Sequence, residues 1–273
     1  MLARIPLVCL YLSTSTHAFT PLLTSSSAVR SFSSLNMSTA NENNVGFTDI
    51  GAQSSPPTSS TEEITTWRDK ISTSIARSKK VRGGNFVQIA TVDPETLEPR
   101  CRTVVFRGFL KQDGKEADIM KMITDKRSSK FSEVTASPKK ATASPGDKKA
   151  TCEMVWWFGK SSEQYRIRGN LKFIGDDETD AALLIARKEQ WGNMSDPARE
   201  QFFWKEPGLP FDSQAEVPEG GRDGEGKVLP PPDNFLLMLL YPTRCDYLRL
   251  GDNFKQIDNI KENNGWDAQQ VTP

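Results

Sequence analysis

The sequence has very little histidine and no closely spaced cysteines. Its 273 residues include one histidine, His17, which lies in an N-terminal segment that we expect to be removed. The four cysteines are Cys9, Cys101, Cys152 and Cys245, too far apart for a CxxC redox or zinc motif. The mature chain therefore has no Ser-His-Asp or Cys-His nucleophile and no histidine-ligated metal. An enzyme of this composition uses carboxylates, cations and hydroxyls, or an organic cofactor.

An excess of charge of one sign is also absent. The chain has 35 Lys and Arg against 35 Asp and Glu, which gives no electrostatic support for binding nucleic acid. No apolar run reaches the roughly 18 residues that a membrane-spanning helix needs. Neither a GxGxxG dinucleotide motif nor a Walker phosphate loop is present. We expect no nucleic-acid partner and no membrane span.

Residues 1–41 contain no Asp or Glu and predict a targeting leader. Arg4 precedes a short apolar run, as in a secretory signal, and a Ser-rich segment follows. The Ala18-Phe19 step resembles the cleavage site in the bipartite plastid leaders of algae with complex plastids. We expect plastid localisation, with a plain secretory signal or a disordered tail as the alternative. Residues 42–64, rich in Asn, Gly, Ser, Pro and Thr, predict a disordered linker.

Residues 65–273 alternate short apolar segments with turn signals and predict one mainly β domain with flanking helices. Strands are expected at 85–91, 101–110, 119–124, 151–158, 164–174, 234–241, 245–250 and 266–271. Helices are expected at 65–80, 126–134, 176–190 and 196–204. Residues 135–150 and 205–233 predict flexible loops. Because turns rather than regular crossover helices join the strands, the pattern favours an antiparallel barrel over a doubly wound sheet.

Two cationic segments carry candidate binding residues. Arg102 and Arg107 lie five residues apart on one predicted strand, so a flat strand would point them to opposite faces. A bulge or an edge position would let both reach one ligand. Residues 124–130, Thr-Asp-Lys-Arg-Ser-Ser-Lys, place hydroxyls and cations where a strand leads into a helix, a pattern suited to phosphate. The alternative is an ordinary capped helix with solvated cations.

Two further segments carry aromatic and amide groups. Trp156 and Trp157 are adjacent on a strand, so one is expected to point into the core and the other outward. An outward Trp suits a subunit interface or a stacking ligand, with packing of both as the alternative. Gln164, at the start of the next strand, offers both a donor and an acceptor to the edge of a heterocycle.

In this order and spacing, the four segments resemble the pyridoxamine 5′-phosphate oxidase-like family of FMN-binding split barrels, in particular its cyanobacterial and plant-type branch. The resemblance covers about residues 65–273. It implies a six-stranded antiparallel split β-barrel, mainly β with flanking helices, that binds FMN at the interface of a homodimer and acts on a small molecule. It assigns cofactor binding to Arg102, Thr103, Val104, Val105, Arg107, Thr124, Asp125, Arg127, Ser128, Ser129, Lys130 and Gln164.

The sequence departs from the family pattern at several positions. Arg107 stands where the oxidases have Lys, and Ser129 stands where they have Arg, so we expect Arg127 to supply the missing cation. The Arg-Leu-His with which the oxidases hold pyridoxine phosphate has no counterpart at 250–256. Their mid-chain Arg and Ser have no match at 191–204. FMN binding is therefore better supported than vitamin B6 oxidation.

Two other functions stay open at this point. The altered substrate residues are compatible with a non-catalytic barrel that binds flavin or another planar ligand as a sensor or carrier. The lysine-rich stretch at 138–149 suggests an interaction scaffold.

Overall fold

A nine-stranded antiparallel sheet forms the centre of this computed structural model, which describes residues 64–136, 151–210 and 217–273. The strands are β1 (Phe86–Val92), β2 (Pro99–Val105), β3 (Phe109–Gln112), β4 (Lys115–Asp125), β5 (Cys152–Phe158), β6 (Glu163–Ile174), β7 (Phe235–Arg249), β8 (Phe254–Ile260) and β9 (Trp266–Val271). The helices are α1 (Trp67–Ser78), α2 (Ser129–Thr135), α3 (Ala181–Gly192) and α4 (Asp196–Glu200). The predicted fold class, mainly antiparallel β with flanking helices, is confirmed.

The strand order brings the two ends of the sheet together on one bent segment. The order is β2-β1-β5-β6-β7-β4-β3, with β8 and β9 added beyond β7. β2 and β3 are consecutive in the chain and are separated by residues 106–108. There the Arg107 N–H donates to the Lys121 carbonyl at 2.8 Å, and the Lys121 N–H donates to the Gly108 carbonyl at 2.8 Å. Six strands surround the core if β2 and β3 are counted as one, and the β8–β9 hairpin extends the sheet beyond the six predicted.

The break between β2 and β3 falls inside the single strand predicted at 101–110. Gly108 has φ 104°, a left-handed conformation that glycine adopts readily and other residues rarely do. The chain bends at this point, so that β2 pairs with β1 while β3 pairs with β4. The bend lies between Arg102 and Arg107.

β7 is one continuous strand where two were predicted, at 234–241 and 245–250. The register of β6 with β7 shifts between Arg168 and Gly169, and Gly169 pairs with Pro242. A Cβ added to Gly169 would lie 2.2 Å from the Tyr241 carbonyl oxygen, so the two backbones approach too closely for any side chain there. The proline that suggested a strand end is accommodated at this bulge.

β8 was not predicted because its buried face carries polar residues. Gln256 and Asp258 are fully buried. The Asp258 carboxylate accepts hydrogen bonds from the Trp67 N–H at 3.0 Å and from the Gln256 amide at 2.9 Å. These contacts hold the start of α1 against the barrel, and Trp67 and Ile71 of that helix are fully buried in the main core.

Both helices after β6 are shorter than predicted. α3 starts at Ala181 rather than near 176, because the Asp180 carboxylate accepts from the Ala182 N–H at 2.9 Å and caps the helix. The helix predicted at 196–204 is divided into α4 and a 3₁₀ turn at Gln201–Phe203. The described part of the loop predicted at 205–233 contains a second 3₁₀ turn at Glu219–Gly221 and an isolated bridge between Arg222 and Val228.

Several sequence-based predictions lie outside the described residues. They are the leader at 1–41, all of the linker at 42–64 except its last residue, the lysine-rich stretch at 138–149, and residues 211–216 of the second loop. Within the described ranges, every helix is too short or too polar to cross a membrane.

Candidate functional site

A cleft of about 650 Å³ opens between the bent strand and the segment that follows α4. One wall consists of Arg102, Thr103, Val104, Val105 and Arg107 from β2 and the bend, Ile123, Thr124 and Asp125 from the end of β4, and Lys130 from α2. The other wall comes from residues between 198 and 210. The first wall contains eight of the twelve residues predicted to bind the cofactor.

Lys130 and two hydroxyls form a compact cluster at one end of the cleft. The Lys130 ammonium donates to Thr124 Oγ1 at 2.8 Å and to Ser128 Oγ at 3.0 Å, and the two hydroxyls are 3.1 Å apart. Burial, and then repulsion from Arg102, lower the pKa of Lys130 below its ordinary value of 10.5. Within the described ranges, the hydrogen-bond partners of this ammonium are neutral. A partly desolvated cation beside donor hydroxyls suits an anionic group such as a phosphate.

Arg102 lies beside this cluster and is held by a buried carboxylate. Its Nη2 atom donates to Glu133 Oε2 of α2 at 2.6 Å, and its Nη1 atom donates to the Thr91 hydroxyl at 2.5 Å. Burial raises the pKa of Glu133, but hydrogen bonds from Thr91 and Arg102 outweigh it, and the net pKa lies below the ordinary value. Glu133 is therefore ionised at neutral pH and fixes the guanidinium.

Arg107 brings a second guanidinium to the same cleft. The bend at residues 106–108 explains how two arginines at odd spacing reach one cavity, which a flat strand would prevent. The Arg107 Nε atom is buried and has no hydrogen-bond partner within the described part of the chain. Burial lowers the pKa of this guanidinium. A buried donor without an acceptor is costly, so an anionic or carbonyl group of a ligand fits this position.

The backbone of β2 offers a further set of donors and acceptors. In the described chain, β2 pairs with β1 alone, so its second edge has no strand partner. Thr103, Val104 and Val105 line the cleft. An extended strand edge presents alternating N–H and C=O groups, which match the donor and acceptor edge of a planar heterocycle.

Four of the predicted residues do not line the cleft. Arg127 is held by the Asp125 carboxylate at 2.7 Å and donates to the Trp204 carbonyl at 3.0 Å, so its guanidinium is already engaged by groups of the protein. Ser128 Oγ accepts a hydrogen bond from the Lys130 ammonium at 3.0 Å. Ser129 is exposed, and its hydroxyl helps to lower the pKa of Glu133.

Gln164, the fourth, lies on β6 and pairs with Trp157 of β5. Trp156 is 1% exposed and Trp157 is 42% exposed, as the alternation of strand side chains predicts. Gln164 therefore belongs to the outer face of the sheet and not to this cleft of its own chain.

The opposite wall was missed by the sequence analysis. Its members are Ala198, Gln201, Phe202, Trp204, Lys205, Glu206, Pro207, Gly208, Leu209 and Pro210. Asn234 joins the two walls, since its amide donates to Asp125 at 2.8 Å and to the Phe202 carbonyl at 2.9 Å. The aromatic run Phe-Phe-Trp at 202–204 could have suggested a binding surface. It lay in a predicted helix, however, and the sequence did not indicate which other segment it would contact.

Glu133 was also missed. Its position three residues after Lys130 on a predicted helix places the two side chains on one helical face, which was the available signal.

An antiparallel sheet with a bent strand and a cationic hydroxyl cluster defines a split-barrel domain with a cationic cleft. Residues 64–175 match the family model described as "Pyridoxamine 5′-phosphate oxidase, FMN-binding domain". This match confirms the resemblance that the sequence motifs indicated.

Two similar proteins match this chain over most of its length. Pyridoxine/pyridoxamine 5′-phosphate oxidase 2 of Arabidopsis thaliana is 27% identical over 214 residues, which are 77% of this chain and 98% of the relative. A crystal structure of a pyridoxamine 5′-phosphate oxidase-related, FMN-binding protein from Nostoc punctiforme PCC 73102 matches with a TM-score of 0.62 and 28% identity, covering 78% of this chain and 100% of that one.

A third similarity concerns the fold alone. The structure of PhzG from Burkholderia lata 383, in complex with tetrahydrophenazine-1-carboxylic acid, matches with a TM-score of 0.51 and 16% identity, covering 84% of this chain and 98% of that one.

Proposed function

We propose that the cleft binds FMN, with the phosphate at Lys130, and that the protein is an FMN-dependent oxidoreductase. The observation that carries the proposal is the Lys130 ammonium, hydrogen-bonded to Thr124 and Ser128 beside Arg102, in a domain of an FMN-binding family. Charge-assisted hydrogen bonds from such a cluster would hold a phosphate dianion.

The other residues of the first wall have roles in binding and orienting the cofactor. The unpaired edge of β2 at Thr103, Val104 and Val105 would hydrogen-bond the polar edge of the ring system. The buried Nε of Arg107 would donate to negative charge on the ring or on a substrate. Bound FMN supplies the redox chemistry, so the lack of histidine in the mature chain is no obstacle.

An absorption spectrum tests the cofactor. Purified protein should retain, or take up and retain after desalting, a chromophore with the spectrum of protein-bound flavin. Riboflavin, which lacks the phosphate, should bind more weakly than FMN. Protein that retains no FMN after desalting would refute the proposal.

The substrate that we propose first is pyridoxamine or pyridoxine 5′-phosphate. Its support is the similarity to the Arabidopsis oxidase over nearly the whole length of that relative. The flavin-loaded protein should form pyridoxal 5′-phosphate from one of the two substrates, with oxygen as acceptor. Bound flavin without any such product would refute this substrate while leaving FMN binding intact.

One observation favours a non-catalytic flavin-binding sensor or carrier as the second candidate. In the region where the oxidases hold their substrate with Arg-Leu-His, this chain makes the turn from β7 to β8. There Arg249 pairs with Asp252 at 2.6 Å, so this cation is already engaged by a carboxylate. Turnover of an electron donor with oxygen at an enzymatic rate would exclude this candidate.

We also propose a homodimer formed by the outer face of the sheet. Trp157 on β5 and Phe86 on β1 are 42% and 50% exposed, and the register of the two strands puts them on the same face. Phe86 pairs with Val105, which lines the cleft, so this face continues to the mouth of the site. An apolar strip beside a cofactor cleft suits a second copy that would bring its own Gln164 close to the cofactor.

For localisation, we propose the plastid on the composition of residues 1–41. A fluorescent protein fused behind these residues and expressed in an alga with a complex plastid should accumulate in that organelle. Secretion of the fusion would support the alternative of a plain secretory signal.

A further inference from the structure

A buried carboxylate lies behind the cationic end of the cleft. The Glu133 side chain is 5% exposed and is not part of the cleft wall. Its Oε2 atom accepts hydrogen bonds from Nη2 of Arg102 at 2.6 Å and from the hydroxyl of Thr91. The same hydroxyl accepts from Nη1 of Arg102 at 2.5 Å. Three elements, β1, β2 and α2, therefore fix one guanidinium.

The carboxylate also lets two cations share a partly desolvated site. Arg102 and Lys130 are close enough that Arg102 contributes to lowering the pKa of Lys130. Like charges that have lost water repel each other strongly. Glu133 attracts both cations, since it pairs with Arg102 and acts on Lys130 in the direction opposite to that of Arg102. The arrangement can therefore persist before an anion arrives.

We propose that Glu133 is a positioning residue for FMN binding, which holds Arg102 in the orientation that the phosphate needs and acts through Arg102 without touching the cofactor. The inference rests on the proposed function. An arginine that is already fixed loses little side-chain freedom when the ligand binds, so affinity is gained by pre-organisation. The contribution should appear with ligands that carry the phosphate and should be absent with those that lack it.

A double-mutant cycle with two ligands tests this role. Glu133→Ala should weaken FMN binding about tenfold, in line with the loss of a pre-organised contact, and should leave riboflavin binding unchanged. Arg102→Ala should weaken FMN binding at least as much. The double variant should bind FMN no more weakly than Arg102→Ala alone, because the contribution of Glu133 to FMN binding acts through Arg102. Affinities are measured by flavin fluorescence titration of the apoprotein.

A matched control and a milder variant accompany the cycle. Glu116 pairs with Arg68 at the same distance of 2.6 Å, outside the cleft, so Glu116→Ala should leave the affinity for both flavins unchanged. Glu133→Gln keeps the side-chain volume and serves if Glu133→Ala does not fold. Glu133→Gln should lower the affinity for FMN by less than Glu133→Ala does and should leave the affinity for riboflavin unchanged. Its effect on FMN affinity should likewise not add to that of Arg102→Ala.

The outcomes separate this inference from the proposed function. If the unaltered chain binds no FMN, the proposed function is wrong and the inference falls with it. If the unaltered chain binds FMN but the effects of the Glu133 and Arg102 variants add, the inference alone is wrong. An equal loss of FMN and riboflavin affinity in the Glu133 variants would also overturn it, since that result indicates a general structural role.

Discussion

Arg127 donates a hydrogen bond to the carbonyl oxygen of Trp204 at 3.0 Å, which ties the end of β4 to the opposite wall of the cleft. The same guanidinium is held by Asp125 at 2.7 Å. The hydrogen bonds that Arg127 donates to the Asp125 carboxylate raise the pKa of Arg127 above its ordinary value. Although the motif suggested that Arg127 replaces a phosphate-binding arginine of the family, its contacts fit a role in holding the two walls together.

The first prediction separates these two roles of Arg127. Arg127→Ala should leave the ratio of FMN affinity to riboflavin affinity close to that of the unaltered chain, because its guanidinium points to Trp204 and Asp125. Both affinities should fall together if the wall loosens. A loss of the FMN preference as large as that caused by Lys130→Ala would show that Arg127 binds the phosphate after all.

The second prediction concerns Lys130. Lys130→Ala should weaken FMN binding by about 1.5–3 kcal/mol through the loss of charge-assisted hydrogen bonds, and should change riboflavin binding little. The control is Lys126→Ala, because Lys126 is an exposed lysine four residues away that does not line the cleft. Unchanged FMN affinity in the Lys130 variant, measured by fluorescence titration, would place the phosphate elsewhere.

The sequence predicted those parts of the fold and site that depend on short-range pattern. Alternation predicted that one of Trp156 and Trp157 points inward and the other outward, and the hydroxyls and cations from Thr124 to Lys130 lie within seven consecutive residues. Such features follow from strand and helix periodicity. The prediction missed β8, where Gln256 and Asp258 occupy core positions and the apolar alternation on which strand prediction depends is lost.

The second wall of the cleft could not be predicted for a different reason. Its position depends on contacts between segments that are far apart in the chain. Arg199 of α4 is 2% exposed and donates to the Gly220 carbonyl at 3.1 Å, while Asp196 pairs with Arg222 at 2.9 Å. No local pattern in the sequence predicts that a buried arginine of α4 will bind the turn at Glu219–Gly221, or that Phe202 will pack against Phe235 of β7.

The third prediction is a dependence of cofactor binding on pH. Burial and the repulsion from Arg102 lower the pKa of Lys130, so this residue loses its proton at a lower pH than an exposed lysine does. A phosphate binds the protonated form more tightly. The ratio of FMN affinity to riboflavin affinity should therefore begin to fall, as the pH rises, at values below 10.5.

Two variants check the assignment of this titration. Lys130→Arg keeps its positive charge throughout this pH range. Its ratio of FMN affinity to riboflavin affinity should therefore not change with pH, whatever the size of the ratio. Lys130→Ala should also give a flat profile. A fall that persists in both variants would assign the titration to another group.

The fourth prediction concerns the thiols of the described residues. Burial, and next the neighbouring Glu153, raise the pKa of Cys152 to about 12, and burial raises the pKa of Cys245 as well. Cys101 is exposed on β2. Because the thiolate is the reactive form, iodoacetamide at neutral pH should label Cys101 and spare the other two in the folded protein.

Peptide mass spectrometry measures this labelling site by site. In denaturant all three thiols should react. This control shows that the labelled peptide of each cysteine can be detected. Rapid labelling of Cys152 or Cys245 without denaturant would mean that the sheet opens at β5 or β7 far more readily than its packing indicates.

The fifth prediction tests the proposed dimer at the outer face of the sheet. Trp157→Asp places a carboxylate in an apolar contact, where an unpaired charge is strongly unfavourable. Light scattering coupled to gel filtration should show a shift from dimer toward monomer. Ile185→Asp, which changes an exposed apolar residue on α3, is the control and should remain dimeric.

Because Val105 joins this face to the cleft, the Trp157 variant should also retain less FMN after desalting. If the unaltered protein is already a monomer with FMN bound, the second copy has no part in the site.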